Sequence, residues 1–576
     1  MNQMESKYKT YRTGQPPEKK TNRLWPLFGA GMENLGVNGK QTEVPMPEFG
    51  PDELLVRHDA CGLCFSDIKV IKLGEEHPRI HHDIKKDPVV LGHEVVMTIV
   101  GVGENLKDQY KAGDRFIIQA DIFVKGVGYA YGYEIPGGLS EYNVIDQRSL
   151  NGDHGNYLIP IQADTGYVES ALVEPWACVI AAYYLTYRTE LKKDGTAWFI
   201  GPETREHTLS QGFDAQKHPA VIKLTQMDGP FGKWLRDQAI RFGIQVLEID
   251  EIPPLSGEVP SVELVDDIIL LEPSPEQIEK VSPFLSFGGI LAIATDKKLD
   301  NPINLDVGRV HYNRWLFIGG SQSDIADIYR CVPVRSSLKK GGASLFVGAG
   351  GPMGRMHVQH AIESADAPAV IVCSDVSDDR LKDLDDTYAA DAREKGIEWV
   401  CVNPTQKETY DEVMSRFKQD GFDNIIILAP IPAIISDAAE WLGEKGVMNI
   451  FAGVTRGTTA LINLNDILVK QTRFIGHSGS DIEDMVMMLN EVEAGQLSTN
   501  RSVAAVGSLD AVKDGLHALM NATFPGKVVI FPNIKSFPLT SVLALERSLP
   551  EVYAKLKNGR EWTKEAEQVF LEAMLE

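Results

Sequence analysis

Positive charge is scarce in this chain. Against 81 Asp and Glu stand 57 Lys and Arg, a formal net charge of −24. That is the wrong sign for a protein that lives on nucleic acid or on anionic membrane surfaces, and neither partner is expected. Cysteine is scarcer still. Cys61, Cys64, Cys178, Cys331, Cys373 and Cys401 are scattered over a long chain, unlike a disulfide framework, which points to a reducing compartment. Long apolar runs are missing too. Residues 1–20 are polar with mixed charge and lack the apolar centre of a secretory leader, and no stretch approaches the length of a membrane span. The expectation is a cytoplasmic protein. With 576 residues, 43% of them hydrophobic, the chain can bury several cores and is expected to hold several domains.

Against that background six residues stand out. They are Cys64 and Asp67 in Gly62-Leu63-Cys64-Phe65-Ser66-Asp67, His93 and Glu94 in Gly92-His93-Glu94, and Glu174 followed by Pro175. A thiolate, an imidazole and a carboxylate are zinc donors, and a catalytic zinc site uses three protein ligands and leaves a fourth position open. Cys64, His93 and Glu174 supply three, with Glu94 placed to swap in or to sit behind the metal. Asp67 is a natural acceptor for the far nitrogen of the histidine ring. Ser66 sets a hydroxyl beside the thiolate, where it can pass a proton to or from the substrate oxygen. Ser66, Asp67 and Glu94 are therefore the candidate catalytic residues. One zinc is expected. Cys61 is a further ligand by type, but packing is the simpler role for it, as for Cys178, Cys331, Cys373 and Cys401.

The first segment reads as β-rich. Residues 53–57, 95–101 and 114–118 are short β-branched runs set off by Gly, Pro and Asp. From Ala171 to Tyr184 the spacing is helical, and beyond it strand-like and helical stretches alternate, the pattern of a parallel α/β fold. That stretch is repeated. Val265-Asp266-Asp267-Ile268-Ile269 recurs as Phe422-Asp423-Asn424-Ile425-Ile426, Phe317-Ile318-Gly319 as Phe474-Ile475-Gly476, and Ser323-Asp324-Ile325 as Ser480-Asp481-Ile482. All three share one offset of 157 residues (422 − 265), which predicts a duplicated domain.

The copies differ where a nucleotide would bind. In the second, the strand Ser344–Val347 leads into Gly348-Ala349-Gly350-Gly351-Pro352-Met353-Gly354 and then a helix. Such a turn lets the backbone approach a pyrophosphate and points helix N-terminal amides at it. Asp375 follows the next strand, 21 residues past Gly354 (375 − 354), placed to accept from a ribose hydroxyl and to repel a 2′-phosphate, so NAD is favoured over NADP. Gly348, Gly350, Gly351, Pro352, Met353, Gly354, Asp375 and Arg380 are the candidate cofactor contacts. The fingerprint is imperfect, since its first glycine falls on Ala349. In the first copy Gly229-Pro230-Phe231-Gly232 echoes the second-copy turn, but Asp228 precedes it, and a buried acid facing a pyrophosphate is electrostatically wrong. The alternative loop, Ile200-Gly201-Pro202-Glu203-Thr204, also carries an acid. The first copy reads as a nucleotide fold that has lost its nucleotide. His77, His81 and His82, with Lys69, Lys72 and Arg79, form a basic stretch that suits either a substrate phosphate or solvent. His477 is a candidate neighbour of the nicotinamide.

Together these motifs, with Gly526-Lys527-Val528-Val529-Ile530-Phe531-Pro532, resemble the zinc-dependent medium-chain dehydrogenases, in which a Rossmann domain is inserted in a GroES-like catalytic domain. Leu172-Val173-Glu174-Pro175 resembles the polyol branch. Gly113-Asp114-Arg115-Phe116, Gly137-Gly138-Leu139-Ser140-Glu141-Tyr142 and Ser536-Phe537-Pro538-Leu539-Thr540 look like the L-sorbose 1-phosphate reductases. The resemblance implies hydride transfer between a nicotinamide and a carbinol carbon, with Cys64, His93 and Glu174 as ligands and Ser66 in the proton relay. No cysteine lies between Cys64 and Cys178, so the structural zinc lobe of many relatives is not expected.

The implied fold class is α/β, a GroES-like β-rich catalytic domain plus two tandem Rossmann-like doubly wound parallel-sheet domains, the first degenerate. The expected division is 1–185 for the catalytic domain with the zinc site, 186–335 for the degenerate Rossmann-like domain, 336–490 for the NAD-binding one, and 491–576 for the return to the catalytic domain plus a helical appendage. Rossmann domains of this group commonly pair edge to edge across a twofold axis, so the two copies are expected to form an intramolecular pseudo-dimer, with room for a further homo-oligomer. The expected activity is a zinc- and NAD-dependent oxidation or reduction of a secondary alcohol or ketone of a polyol, sugar or sugar phosphate. Another secondary alcohol or amino alcohol is an alternative substrate. A nucleotide-binding scaffold or sensor without turnover is the alternative of a different class, and the intact ligand set argues against it.

Overall fold

The β-branched runs of the first segment become long buried strands. In the computed structural model, which describes residues 6–254, 257, 263–330 and 335–575, they are β1 (Leu54–Gly62), β2 (Glu94–Val102) and β3 (Arg115–Ile118), joined by β4 (Tyr142–Ile145) and β5 (Leu158–Pro160). Cys331 lies outside the described residues. Every residue of β1 is buried, because both faces of this part of the sheet are covered. Helix α1 (Phe65–Leu73) follows β1, and the predicted helix around Glu174 is two pieces, α2 (Tyr167–Ala171) and α3 (Val173–Ala181).

The α/β stretch then runs twice. The first copy contains β6 (Thr196–Ile200), β7 (Val221–Thr225), α4 (Pro230–Phe242), β8 (Gln245–Glu248), β9 (Val265–Leu271), β10 (Leu285–Ala294), β11 (Ile303–Asp306), α5 (Val307–Asn313) and β12 (Leu316–Gly320). The second contains β13 (Ala343–Val347), α6 (Pro352–Glu363), β14 (Val370–Ser374), α7 (Asp378–Glu394), β15 (Glu398–Val402), β16 (Phe422–Ile427), β17 (Leu442–Ile450), β18 (Thr459–Ile462) and β19 (Arg473–Ile475). Among the described residues each copy forms a six-stranded parallel sheet, in the orders β8-β7-β6-β9-β10-β12 and β15-β14-β13-β16-β17-β19. Both are the doubly wound 3-2-1-4-5-6 order, with its switch point between the first and fourth strands.

Equivalent side chains show the duplication more finely than the sequence does. Asp267 accepts from Arg188 Nη1 at 3.0 Å and from the Lys192 amide at 2.9 Å, and Asn424 accepts from Arg335 Nη1 at 2.9 Å and from the Lys339 amide at 2.9 Å. These partners obey an offset of 147 (335 − 188), as do β6 and β13 (343 − 196), whereas β9 and β16 keep 157. The first copy is therefore ten residues shorter (157 − 147) between its first and fourth strands. Counted from strand start to strand start, that shortfall is spread over three steps, two residues from β6 to β7 and four in each of the next two. β13 leads through the glycine loop into α6, but among residues 201–220, between β6 and β7, no helix forms.

This corrects the alignment drawn from the sequence. Gly229-Pro230 opens α4, which follows β7, so it matches the start of α7 and not the Gly351-Pro352 turn. The counterpart of the glycine loop is Gly201-Pro202-Glu203. Asp228 is exposed and is not the acid that closes the first copy. Glu203 is, since its carboxylate accepts from the amides of Gly229 (3.0 Å), Phe231 (2.9 Å) and Gly232 (2.9 Å) at the N-terminus of α4.

The copies are linked by an antiparallel pair, β11 with β18, in which Asn304 faces Leu461. Leu461 is Asn304 shifted by 157 (461 − 304), so the pairing is centred on equivalent residues, as a twofold relation between the copies requires. The edge strands β12 and β19 approach one another, yet the two sheets are not joined into one continuous sheet among the described residues.

The chain returns to the first sheet with β20 (Val503–Ser508), β21 (Lys527–Phe531) and β22 (Thr540–Ser541), completing the order β5-β3-β2-β1-β21-β20-β22, with β4 on β1. The chain divides into two compact units. One is Met1–Ile180, Gly351–Met356 and Ser480–Glu576, and the other is Ala181–Gly350 and His357–Gly479. No helix among the described residues is long and apolar enough to cross a membrane.

The predicted C-terminal appendage ends in α8 (Lys564–Met574). From it Glu567 accepts from the amides of Tyr167 and Val168, both at 2.7 Å, capping the start of α2. Burial pushes its carboxyl up to about 7, against the pull of those two donors. A carboxyl whose folded value lies above its ordinary one favours the folded state at low pH and loses that contribution as pH rises through the folded value. Glu567→Gln should therefore flatten the fall in stability between pH 4.5 and about 7, a span worth at most about 3 kcal/mol, as read by urea unfolding at a series of pH values.

Candidate metal centre and cofactor loop

Cys64 is the residue before α1, and its position is set by the helix it starts. Its amide donates to Asp67 Oδ2 at 2.9 Å, the capping contact that closes the first turn. The other oxygen of that carboxylate, Oδ1, lies 3.4 Å from His93 Nδ1. One acid thus bonds the thiol residue by its backbone and stands within ion-pair distance of the imidazole, although neither Oδ1 nor Nδ1 has a hydrogen-bond partner. Ser66 lies on the same turn, half-buried.

His93 and Glu94 come from the start of β2. Gly92, just before them, has φ +102°, and a Cβ there would stand 2.7 Å from Cys61 Sγ and 2.9 Å from the Leu139 amide. Only glycine fits, and Cys61, wedged against Gly92 and Gly138, packs. Glu94 is fully buried. One of its oxygens pairs with Lys527 Nζ from the head of β21, and the other, Oε2, has no hydrogen-bond partner. A Cβ on Gly62 would lie 2.1 Å from that oxygen, so the last residue of β1 is glycine to admit it. Burial works against the charge on Lys527, but Glu94, Cys64 and Glu174 outweigh it and hold the ammonium protonated.

Donor atoms of Cys64, His93 and Glu94 all lie within 4.8 Å of one another. One thiol, one imidazole and one carboxylate suit a dication of intermediate softness such as zinc, and the orphaned Glu94 Oε2 is the kind of atom such an ion would satisfy. Glu174, on the first turn of α3, falls outside that set. Burial, with Glu94 and Asp67, pushes its carboxyl up to about 7, against His93 and Lys527. Cys178, one turn on, bonds Ser480 Oγ at 3.7 Å, and burial raises its thiol.

Two neighbours were not singled out from the sequence. Lys527 was visible as a lone charge heading an apolar strand. Tyr133 carried no local signal, yet its ring lies 5.8 Å from that of His93 and 5.1 Å from that of His77. The basic stretch is largely engaged: Arg79 pairs with Asp121, His82 Nδ1 is 2.8 Å from Glu134 Oε2, and His81 Nε2 is 2.9 Å from the Gly128 carbonyl.

In the second copy Gly348 has φ +83° and the buried Ala349 fits where the fingerprint has glycine. Asp375 accepts from the Gly350 amide at 2.9 Å and from the Ser377 amide at 3.1 Å. A Cβ on Gly350 would stand 2.6 Å from Arg380 Cβ and 2.9 Å from Asp375 Oδ2, so Asp375, Arg380 and the loop are mutually fitted. Pro352, Met353 and Gly354 form the first turn of α6. Cys373 and Cys401 face one another in register across β14 and β15.

A β-rich domain together with two doubly wound sheets is an arrangement similar to that of the medium-chain dehydrogenases of the alcohol dehydrogenase type. The family described as the alcohol dehydrogenase GroES-like domain matches residues 50–151. Among similar proteins, mannitol-1-phosphate 5-dehydrogenase of Aliivibrio fischeri is 24% identical over 540 residues, covering 92% of this chain and 93% of its own. L-Sorbose 1-phosphate reductase of Klebsiella pneumoniae is 27% identical over 320 residues, 51% of this chain and 75% of its own. The crystal structure of an alcohol dehydrogenase from Thermotoga maritima shares the fold at a TM-score of 0.50 and 13% identity, covering 89% of this chain and 99% of its own.

The pairing of Glu94 with Lys527 depends on space at Gly62. Gly62→Ala should push the carboxylate aside and leave a buried ammonium without its partner, at a cost of about 3 kcal/mol. Urea unfolding of the purified variant against the wild type measures it; a loss of that size is the expected result, and unchanged stability would show that the carboxylate moves aside without losing Lys527.

Proposed function

We propose that the chain is a zinc-dependent oxidoreductase that transfers a hydride between NAD(H) and a secondary alcohol or ketone of a polyol, sugar or sugar phosphate. The observation that carries the metal is the convergence of Cys64, His93 and Glu94 donors within 4.8 Å, with Glu174 as a further carboxylate ligand within electrostatic reach. Bound there, zinc would supply Lewis-acid polarisation and the nicotinamide the hydride.

The chain's own residues do the rest. Asp67 orients the His93 ring and anchors Cys64. Glu94 and Lys527 balance one another's charge beside the donors. Ser66 takes or gives the proton of the substrate hydroxyl. Gly348, Gly350 and Gly351, with Pro352, Met353 and Gly354 at the head of α6, receive the pyrophosphate, while Asp375 and Arg380 meet the adenosine ribose. The substrate class is supported by relatives named for mannitol 1-phosphate and L-sorbose 1-phosphate. The first copy serves as an in-chain partner of the second, a pseudo-dimer joined through β11 and β18. The deciding experiment is zinc quantification on the purified protein and a screen of NAD and NADP reduction against polyols and their phosphates.

Cys64→Ala and His93→Ala are expected to lose stoichiometric zinc and turnover while circular dichroism keeps the α/β signature; retention of metal and activity in either would overturn the assignment. Ser66→Ala should keep zinc and lower kcat by about 10²-fold or more.

For the cofactor, Asp375→Ser should shift kcat/KM toward NADP relative to NAD by removing the charge that repels the 2′-phosphate. A wild type that already prefers NADP would refute this role.

A further inference from the structure

The degenerate copy keeps one helix pressed against the loops that leave the strands of the other. Helix α5 runs from β11 toward β12, and at three places it meets second-copy loops where a missing side chain makes the approach possible. A Cβ on Gly308 would stand 2.2 Å from the Thr455 carbonyl oxygen, one on Gly453 2.7 Å from Tyr312 Oη, and one on Gly476 2.7 Å from His311 Cα. From this helix His311, buried, places Nδ1 2.7 Å from the Ile450 carbonyl oxygen and Nε2 2.9 Å from Ser478 Oγ. Just beyond it, Arg314 Nη2 lies 2.9 Å from His477 Nε2. A carbonyl can only accept, so Nδ1 donates to Ile450, and Nε2 shares a hydrogen bond with the Ser478 hydroxyl.

The place of these contacts in the sheet gives them meaning. Ile450 closes β17, and Gly476-His477-Ser478 follow β19. Both lie at the carboxyl ends of strands on the far side of the switch point from Gly348, Gly350 and Asp375. In a doubly wound sheet a dinucleotide crosses at the switch point, so that when one mononucleotide lies with the glycine loop the other lies over the opposite half. The adenosine end belongs with Asp375, and the β17–β19 edge is left for the nicotinamide.

We propose that His311, contributed by the copy that has no nucleotide site of its own, is a positioning residue for the nicotinamide end of the cofactor, pinning the Gly476–Ser478 loop between Ile450 and Ser478. The duplicated domain is then a scaffold for its twin's cofactor. This rests on the NAD-binding role assigned to the second copy above.

The test is equilibrium binding to the full-length protein of NADH, read by its fluorescence, and of ADP-ribose, which lacks the nicotinamide. His311→Asn keeps a donor for the Ile450 carbonyl and loses the ring nitrogen that bonds Ser478, while Ser478→Ala loses the hydroxyl alone. Each should weaken NADH by about fivefold, the worth of one hydrogen bond, and leave ADP-ribose affinity and Tm unchanged. The double variant should be no worse than either single one, because both remove the same bond. Unchanged NADH affinity, or a parallel fall in both ligands with Tm, overturns the proposal. If His311→Asn does not fold, Ser478→Ala decides alone. A wild type that binds neither ligand refutes the cofactor assignment itself, an outcome distinct from selective failure at His311.

Discussion

The buried pair of Glu94 and Lys527 is the contact on which the metal-site domain depends. It joins the first residue of β2 to the first residue of β21, and between them in the chain lie both Rossmann copies. β21 also pairs antiparallel with the end of β1, Val529 opposite Gly62 and Ile530 opposite Cys61. The strand that returns after the insertion therefore supplies both a wall of the sheet and the only kind of charge that makes a buried Glu94 tolerable. Around the pair sit Asp67, Glu94, Glu174 and the Cys64 thiol, against His93 and Lys527. Packing so many acids in one buried cluster costs free energy unless positive charge is added, and a bound dication would add it where the donors already converge.

Duplication followed by loss explains the second unit. Both copies keep the strand order and the internal ties of the fold, Arg188 with Asp267 in one and Arg335 with Asn424 in the other. They part at the segment after the first strand. The second copy keeps the glycine loop and α6, whereas the first forms no helix among residues 201–220 and lays the Glu203 carboxylate over three amides at the start of α4. An amide cluster at a helix start attracts an anion, and here the anion is part of the chain. The first copy keeps its β11 and α5, which are among the parts that meet the second copy.

The candidate metal-donor types, the glycine loop and the 157-residue repeat were legible in the sequence because each is local: Gly-His-Glu, a Gly-rich turn between strand and helix, and an apolar strand opening on Asp266-Asp267 in one copy and Asp423-Asn424 in the other all declare themselves within a few residues. Within the first copy the sequence misled, since Gly229-Pro230-Phe231-Gly232 has the spelling of the second-copy turn but follows the wrong strand, and only the strand pairing of β6, β7 and β9 shows which loop faces the switch point. What tertiary structure alone decided are contacts between residues hundreds of positions apart. Lys527 beside Glu94, Tyr133 between His77 and His93, and His311 under the loop at Ser478 have no fixed spacing to betray them, because each depends on how separate elements pack and not on a period along one of them. Chain-local chemistry fixes what kinds of groups are present. Which of them meet is set by the return of β21 to its sheet and by the fit of one copy against the other.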